Sequence, residues 1–178
     1  MNKKEKIDKK NQKTKDPVVK ALIKFLIKLV TILIIIVSTF TFVFGIHRFE
    51  DDSMIPSVKP GDMILYFRLD KNLLVGETVV YSYDGNTKIA RVVAMPGDTV
   101  EFNENGLVVN GSNQYEPNIY KPTLPFTNGV KYPLTLKDDE VFLLADNRDK
   151  AVDSRLFGPV KINLIKGKIF TLLRRRGI

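Results

Sequence analysis

The longest apolar run of the chain lies near its N-terminus. Residues 29–46 carry no charge and are mostly Ile, Leu, Val, Thr and Phe. As a helix, at about 1.5 Å per residue, this run spans roughly 27 Å, which nearly crosses the hydrocarbon core of a bilayer. Residues 21–28 extend the run, because the long stems of Lys24 and Lys28 reach toward the headgroups. Since only a helix satisfies such a backbone in lipid, the pattern predicts one transmembrane helix over residues 21–46.

Two other structures would also produce an apolar run of this kind, namely a buried core helix and a cleavable signal peptide. A signal peptide ends in a small-x-small cleavage site shortly after its apolar stretch. Here that place is occupied by Phe42, Phe44, Ile46 and His47. The sequence therefore favours a retained anchor that divides the chain into a basic tail (1–20), the anchor (21–46) and an outer domain (47–178).

The positive charge of the chain is concentrated in front of this run. The formal net charge is +8, and residues 1–28 alone hold ten Lys against three acidic residues. The positive-inside rule then predicts a single-pass protein of the cell membrane, with its N-terminus in the cytoplasm and residues 47–178 outside. Because the outer domain is nearly neutral, a nucleic-acid-binding function is poorly supported.

Short apolar or alternating runs separated by turn signals dominate the chain after residue 60. The turn signals are Gly, Asn, Asp and Pro, which tolerate the backbone angles of tight turns. No amphipathic helix of convincing length follows residue 50, so the outer domain is predicted to be mostly β, a coiled sheet or a barrel. The predicted strands are 63–67, 78–81, 88–95, 99–102, 107–109, 141–144 and 168–173.

The segment from Ser112 to Leu136 departs from this pattern. It contains four prolines and few alternations of apolar and polar residues. Proline lacks the backbone donor that a central strand requires. We therefore expect an extended or irregular excursion here.

Composition excludes several kinds of site. The chain has no Cys and a single histidine, His47. This rules out disulfides, a thiolate nucleophile and a multi-histidine metal cage, and it argues against Ser-His-Asp chemistry. No metal or cofactor is expected.

Three polar clusters follow the anchor. Taken alone, each is typical of a turn or of a solvated loop. The clusters are Ser53-Met54-Ile55-Pro56, the stretch from Arg91 to Pro96-Gly97-Asp98, and Asp146-Asn147-Arg148 with Asp153-Ser154-Arg155.

Their order and spacing, together with Gly61-Asp62, residues 76–80, Asn110-Gly111 and Gly158, resemble the type I signal peptidase family. These are membrane-bound serine proteases that remove signal peptides from exported precursors. The resemblance implies a largely β catalytic domain and a Ser-Lys dyad that needs no cofactor. It assigns Ser53 as the nucleophile position. It implies a supporting role for Met54, Pro56, Arg91, Asp146, Asn147, Arg148, Asp153 and Arg155.

A serine hydroxyl needs a neighbouring base to accept its proton. In the family this base is a lysine whose pKa is lowered by burial, placed six residues before the proline of the Pro-Gly-Asp turn. Here that position is Ala90. In the family, a serine commonly orients the amine of that lysine, and the matching position here is Ala151. Two residues before the nucleophile the family usually has Gly or Ser, whereas this chain has Asp51. These departures suggest a degenerate peptidase.

Two lysines are candidate substitute bases. Lys88 leaves the same face of its predicted strand as Ala90, about 6.6 Å away, and Lys150 lies beside Ala151. Catalysis requires a fixed hydrogen bond of roughly 2.6 to 3.2 Å between the base and the serine hydroxyl. A side chain that is only long enough to reach the hydroxyl does not meet this requirement.

Two functions therefore stay open. The first is a non-catalytic protein that binds exported precursors or pilins in pilus assembly, as some Gram-positive relatives that lack dyad residues do. The second is an active signal peptidase that uses Ser53 with an unusual base.

Overall fold

The computed structural model describes the backbone of residues 3–117, 119–149 and 151–174, and the side chains of that part from residue 17 onward. Its contacts divide the chain into two units, residues 1–42 and 43–178. The first unit is the helix α1 (Lys3–Phe42).

Within α1, the stretch Pro17–Phe42 is long and apolar enough to cross a membrane, and its side chains are not buried by the protein. The hydroxyls of Thr31, Thr39 and Thr41 donate to the carbonyls four residues earlier, at 2.7 to 2.8 Å. These bonds satisfy the polar groups of the apolar stretch inside the helix itself, which suits a lipid environment.

The helix ends earlier than the apolar run predicts. Residues 44–46, predicted as helix, lie in the first strand, β1 (Phe44–Arg48), which pairs antiparallel with residues 63–67. The ring of Phe44 packs against Phe67 and Phe170. Pairing with a strand distant in sequence therefore overrides the helical pattern at these residues.

The second unit is mostly β, as predicted. The other long strands are β2 (Met63–Phe67), β3 (Thr78–Tyr83), β4 (Asn86–Ala94), β5 (Thr99–Asn103), β6 (Gly106–Val109), β9 (Glu140–Leu144) and β11 (Ile165–Leu173). Each of the seven predicted strands corresponds to one of these. Three two-residue strands complete the sheets: β7 (Ser112–Asn113), β8 (Leu134–Thr135) and β10 (Val160–Lys161). The remaining regular elements are a short helix, α2 (Ser154–Phe157), and a 3₁₀ turn at Ile162–Leu164.

The strands form two antiparallel sheets. The larger has seven strands in the order β1-β2-β11-β3-β4-β9-β10, and the smaller has the order β7-β6-β5-β8. The register shifts in β11 and in the β4–β9 pair are irregularities of the kind that bend a sheet. Among the described strands the large sheet is open, with β1 and β10 as its edges, so it does not close into a barrel.

Buried side chains on the two faces of β4 belong to different hydrophobic clusters. Ile89 packs in a cluster with Met54, Val80 and Ala151. Ala90 packs in a second cluster, with Val79, Tyr81, Val92 and Leu143 among its members. The segment predicted to be irregular, Ser112 to Leu136, contains only β7 and β8.

Candidate active site

The loop that carries Ser53 is held in place by the loop after β9. The backbone N–H of Asn147 donates to Ser53 O at 2.8 Å, and its side-chain Nδ2 donates to Asp52 O at 3.0 Å. The neighbouring Met54 is fully buried in the cluster of Ile89 and Ala151. Because both the backbone and the next side chain are fixed, the half-buried Ser53 sits at a defined place on the domain.

The carboxylate of Asp51 turns back onto Ser53. Its Oδ1 accepts from the Ser53 hydroxyl Oγ at 2.5 Å and from the Ser53 backbone N–H at 2.9 Å. The sequence left the direction of Asp51 open. An anion therefore already occupies the backbone donor that would otherwise be available to a developing oxyanion.

The two alanines at the base side of the predicted site are both buried. Ala90 has 0% of its surface exposed and lies against Val79 and Tyr81, whereas Ala151 belongs to the cluster of Met54. Neither side chain can accept a proton. The structure brings Ala151 beside the serine loop and places Ala90 in the cluster on the other face of β4.

Lys88 is half-buried on β4, opposite Tyr81 of β3. Among the described side chains, Ser53 Oγ donates to Asp51, and no hydrogen bond joins it to a lysine. Lys150 lies outside the described residues. The assignments of Lys88 and Lys150 as substitute bases therefore stay predictions.

Tyr81 is a residue that the sequence analysis did not single out. Its side chain is 1% exposed. Burial, followed by the carboxylate of Asp153 and with a smaller effect from Asp51, raises the pKa of its phenol. A neutral phenol thus lies within electrostatic range of Asp51. The Asp84-Gly85 turn could have revealed it, because a two-residue hairpin loop fixes the register that sets Tyr81 opposite Lys88.

The supporting residues form buried ion pairs around the serine loop. Arg91 donates to both carboxylate oxygens of Asp146, from Nε at 2.9 Å and from Nη2 at 2.6 Å. This bidentate bond raises the pKa of Arg91. Arg91 Nη1 also donates to Gly76 O at 2.8 Å, so the pair joins β4, the start of β3 and the loop after β9.

A second pair organises the loop itself. Asp153 accepts from Arg155 Nε at 3.0 Å, and its Oδ2 accepts from Ala145 N at 3.2 Å. Arg155 Nη2 donates to Arg148 O at 2.7 Å. Arg148 in turn pairs with Glu116 at 2.6 Å, while burial lowers the pKa of Arg148. These contacts agree with an architectural role for the residues.

A groove of about 590 Å³ opens next to the serine loop. One wall is the chain from His47 to Asp51, and the other is the β3–β4 turn with Gly85, Asn86 and Thr87. β1 is an edge strand, and β9 pairs only with the second half of β4, from Arg91 onward. Both walls therefore offer backbone groups that the described strands leave unpaired.

A metal centre has no obvious ligands in this site. Among the described residues, no group of three or more His, Cys, Asp or Glu side chains converges in a way that could hold a metal ion.

Comparison with known proteins gives consistent similarities. Residues 22–173 match the family described as "Signal peptidase, peptidase S26". Signal peptidase I of Bacillus caldolyticus is 31% identical over 143 residues, covering 72% of this chain and 78% of the relative. Signal peptidase IB of Staphylococcus aureus (strain Mu50) is 26% identical over 168 residues, covering 84% of this chain and 88% of the relative.

Among solved structures, a signal peptidase I from Enterococcus faecalis V583 is similar at 23% identity. It covers 56% of this chain and 97% of its own, with a TM-score of 0.47.

Proposed function

The chain belongs to the signal peptidase family, peptidase S26, and from that premise we propose a specialised role. The protein is a membrane-anchored, signal-peptidase-like receptor for exported precursors that binds polypeptide without cleaving it. Pilins are the most concrete class of precursor, and pilus assembly is the process in which such binding would serve. The apolar stretch of α1 supports the anchorage. The excess of lysines in front of it supports a cytoplasmic N-terminus.

The contact between Asp51 and Ser53 carries the proposal. Acyl transfer at Ser53 would develop negative charge on the carbonyl oxygen of the substrate, close to the Ser53 backbone N–H. The Asp51 carboxylate already accepts from that N–H, and like charges at such a distance repel. The Asp51 carboxylate therefore disfavours the negative charge that a reaction at Ser53 would develop.

The base side of the reaction is missing as well. Ala90 and Ala151 stand at the positions of the lysine and of its orienting serine, and both are buried among apolar side chains. General-base catalysis typically contributes about 10²- to 10⁴-fold to a rate. Without it, only slow residual cleavage is expected.

The groove supports retained binding. Unpaired backbone groups along β1 and the first half of β4 can hydrogen-bond to an extended peptide, which would add a strand between the two walls. The ion pairs Arg91–Asp146 and Arg155–Asp153 hold β4 and the loop after β9 independently of the missing base. Binding and cleavage are therefore separable in this scaffold.

The test uses the purified full-length chain in detergent micelles. Two ligands are offered, a synthetic signal-peptide substrate and a pilin precursor that retains its signal peptide. We expect both to bind, and we expect no cleavage above that of a Ser53→Ala variant. Mass spectrometry follows cleavage, and fluorescence anisotropy follows binding.

Cleavage that disappears in Ser53→Ala would contradict the non-catalytic proposal and favour the active alternative. In that case Lys88→Met identifies the base. Loss of activity with an unchanged thermal unfolding temperature would assign that role to Lys88. If the signal peptide binds and the pilin precursor does not, the pilin assignment alone is wrong.

A further inference from the structure

Lys166 of β11 places an ammonium group at the groove. Its Nζ donates to Thr87 Oγ1 at 2.5 Å, reaching across β3 to β4. Thr87 is one of the residues that line the groove. Lys166 is half-buried, so its charge is only partly solvated.

Within the described part of the chain, this lysine has no carboxylate partner. The next lysine of the strand is different, because Lys168 pairs with Asp70 at 2.7 Å and with Glu77 at 3.1 Å. A partly buried charge that bonds only to a neutral hydroxyl keeps most of its desolvation cost. A carboxylate supplied by a ligand in the groove would compensate it.

The position of Lys166 relative to the serine follows from strand geometry. Thr87 lies two residues before Ile89, on the same face of β4, and Ile89 packs with Met54, the residue after Ser53. Side chains of neighbouring strands keep step with a period of two. In a peptide strand beside β4, the side chain that meets Thr87 is therefore two residues from the one that meets Ile89.

The other charged groups of the groove restrict the preference for an acidic side chain to the surroundings of Lys166. His47 and Arg48 line the same wall as Glu50 and Asp51. Asp51 contacts Ser53, so the serine end of the groove is negative. An acidic side chain is repelled there and attracted at Lys166.

We propose that Lys166 selects an acidic side chain in the bound peptide, two residues from the residue that lies against Ile89. This inference rests on the peptide-binding function proposed above. The groove would then prefer peptides with an acidic side chain at one position, a preference that the composition of the chain does not reveal.

The experiment moves a single Asp along a fluorescein-labelled decapeptide of Ala, Ser and Thr, with matched Asn peptides, and measures anisotropy on the full-length chain in detergent. We expect one Asp position to bind about tenfold tighter than its Asn counterpart. Lys166→Met should abolish the difference, and Lys166→Arg should keep it. The matched control is Lys161→Met, which removes an exposed lysine on β10 at the far edge of the sheet.

Charge reversal provides the decisive comparison. In Lys166→Glu, the same peptide position should prefer Lys over Asp. Equal binding of all peptides to the unaltered chain would overturn the role of Lys166 and leave peptide binding intact. Absence of binding by any peptide would overturn the binding function itself and this inference with it. Thermal unfolding of each variant confirms that the comparison is made between folded proteins.

Discussion

At the scale of single residues, the contacts of Ser53 decide which reactions its hydroxyl can undergo. Its hydroxyl and its backbone N–H both donate to one Asp51 oxygen. Ala90, at the predicted position of the base, is fully buried. Under the proposed function, Ser53 is therefore a nucleophile position at which neither proton removal nor oxyanion stabilisation is provided.

Restoring the missing groups tests this explanation. We expect Ala90→Lys alone to cost about 1–3 kcal/mol in the free energy of unfolding, because it adds a long side chain to a packed cluster. The face of β4 decides where the amine must be returned. Ile89 packs with Met54 and Ala151, so Ile89→Lys combined with Asp51→Ser and Ala151→Ser should raise signal-peptide cleavage at least about a hundredfold over background. Ala90→Lys in the same combination is the matched control and should stay at background, since its side chain leaves the other face of the strand. A folded Ile89→Lys triple variant without activity would show that the missing amine is not the cause.

At the scale of elements, the site depends on the loop after β9. This loop donates two hydrogen bonds from Asn147 to the serine loop, and its Asp146 pairs with Arg91 of β4. Asn147 and Asp52 are 95 residues apart along the chain, so the contact that holds the serine loop is not a local one. The polar cluster is an architectural clamp whether or not catalysis occurs.

Asn147→Ala tests this clamp. Losing the Nδ2 bond to Asp52 O should cost about 1 kcal/mol in the free energy of unfolding, measured with urea. Amide hydrogen exchange of residues 51–54 should accelerate, because the serine loop loses one of its two tethers. Asn163→Ala, at an exposed side chain of the 3₁₀ turn, serves as the control. Unchanged exchange in Asn147→Ala would mean that the side-chain bond of Asn147 does not hold the loop, and that its backbone bond and the burial of Met54 do.

At the scale of the whole molecule, charge and hydropathy separate along the chain. The excess of positive charge lies in residues 1–28, at the start of the chain, and the nearly neutral β unit follows the apolar helical stretch. The positive-inside rule acts on this asymmetry during insertion. A receptor for exported precursors would meet its ligands only on the outer side of the membrane.

Protease treatment of intact protoplasts tests this orientation. We expect residues 47–178 to be digested while a tag at the N-terminus is protected, as followed by immunoblotting. Digestion of the same tag after lysis is the control for protease access. Protection of the β unit in intact protoplasts would reverse the assigned topology.

Much of the fold was readable from the sequence because its signals are local. Short apolar or alternating runs between Gly, Pro, Asn and Asp turns predicted strands such as 63–67, an apolar run that matches β2. The two-residue strands β7, β8 and β10 were not predicted, since such short segments have no measurable period. β1 was missed for a different reason. Its apolar residues continue those of the helix, and only pairing with β2 distinguishes them.

The sequence by itself determined the family, the seven longer strands after residue 60 and the absence of an amine at position 90, because residue identity and spacing need no coordinates. The direction of the Asp51 carboxylate, the burial of Tyr81 beside Ala90 and the reach of Lys166 to Thr87 were decided only by the tertiary structure. The physical reason is that each depends on which distant strands pair and which face a side chain leaves. Electrostatic interactions follow distances in space, which spacing along the chain does not fix.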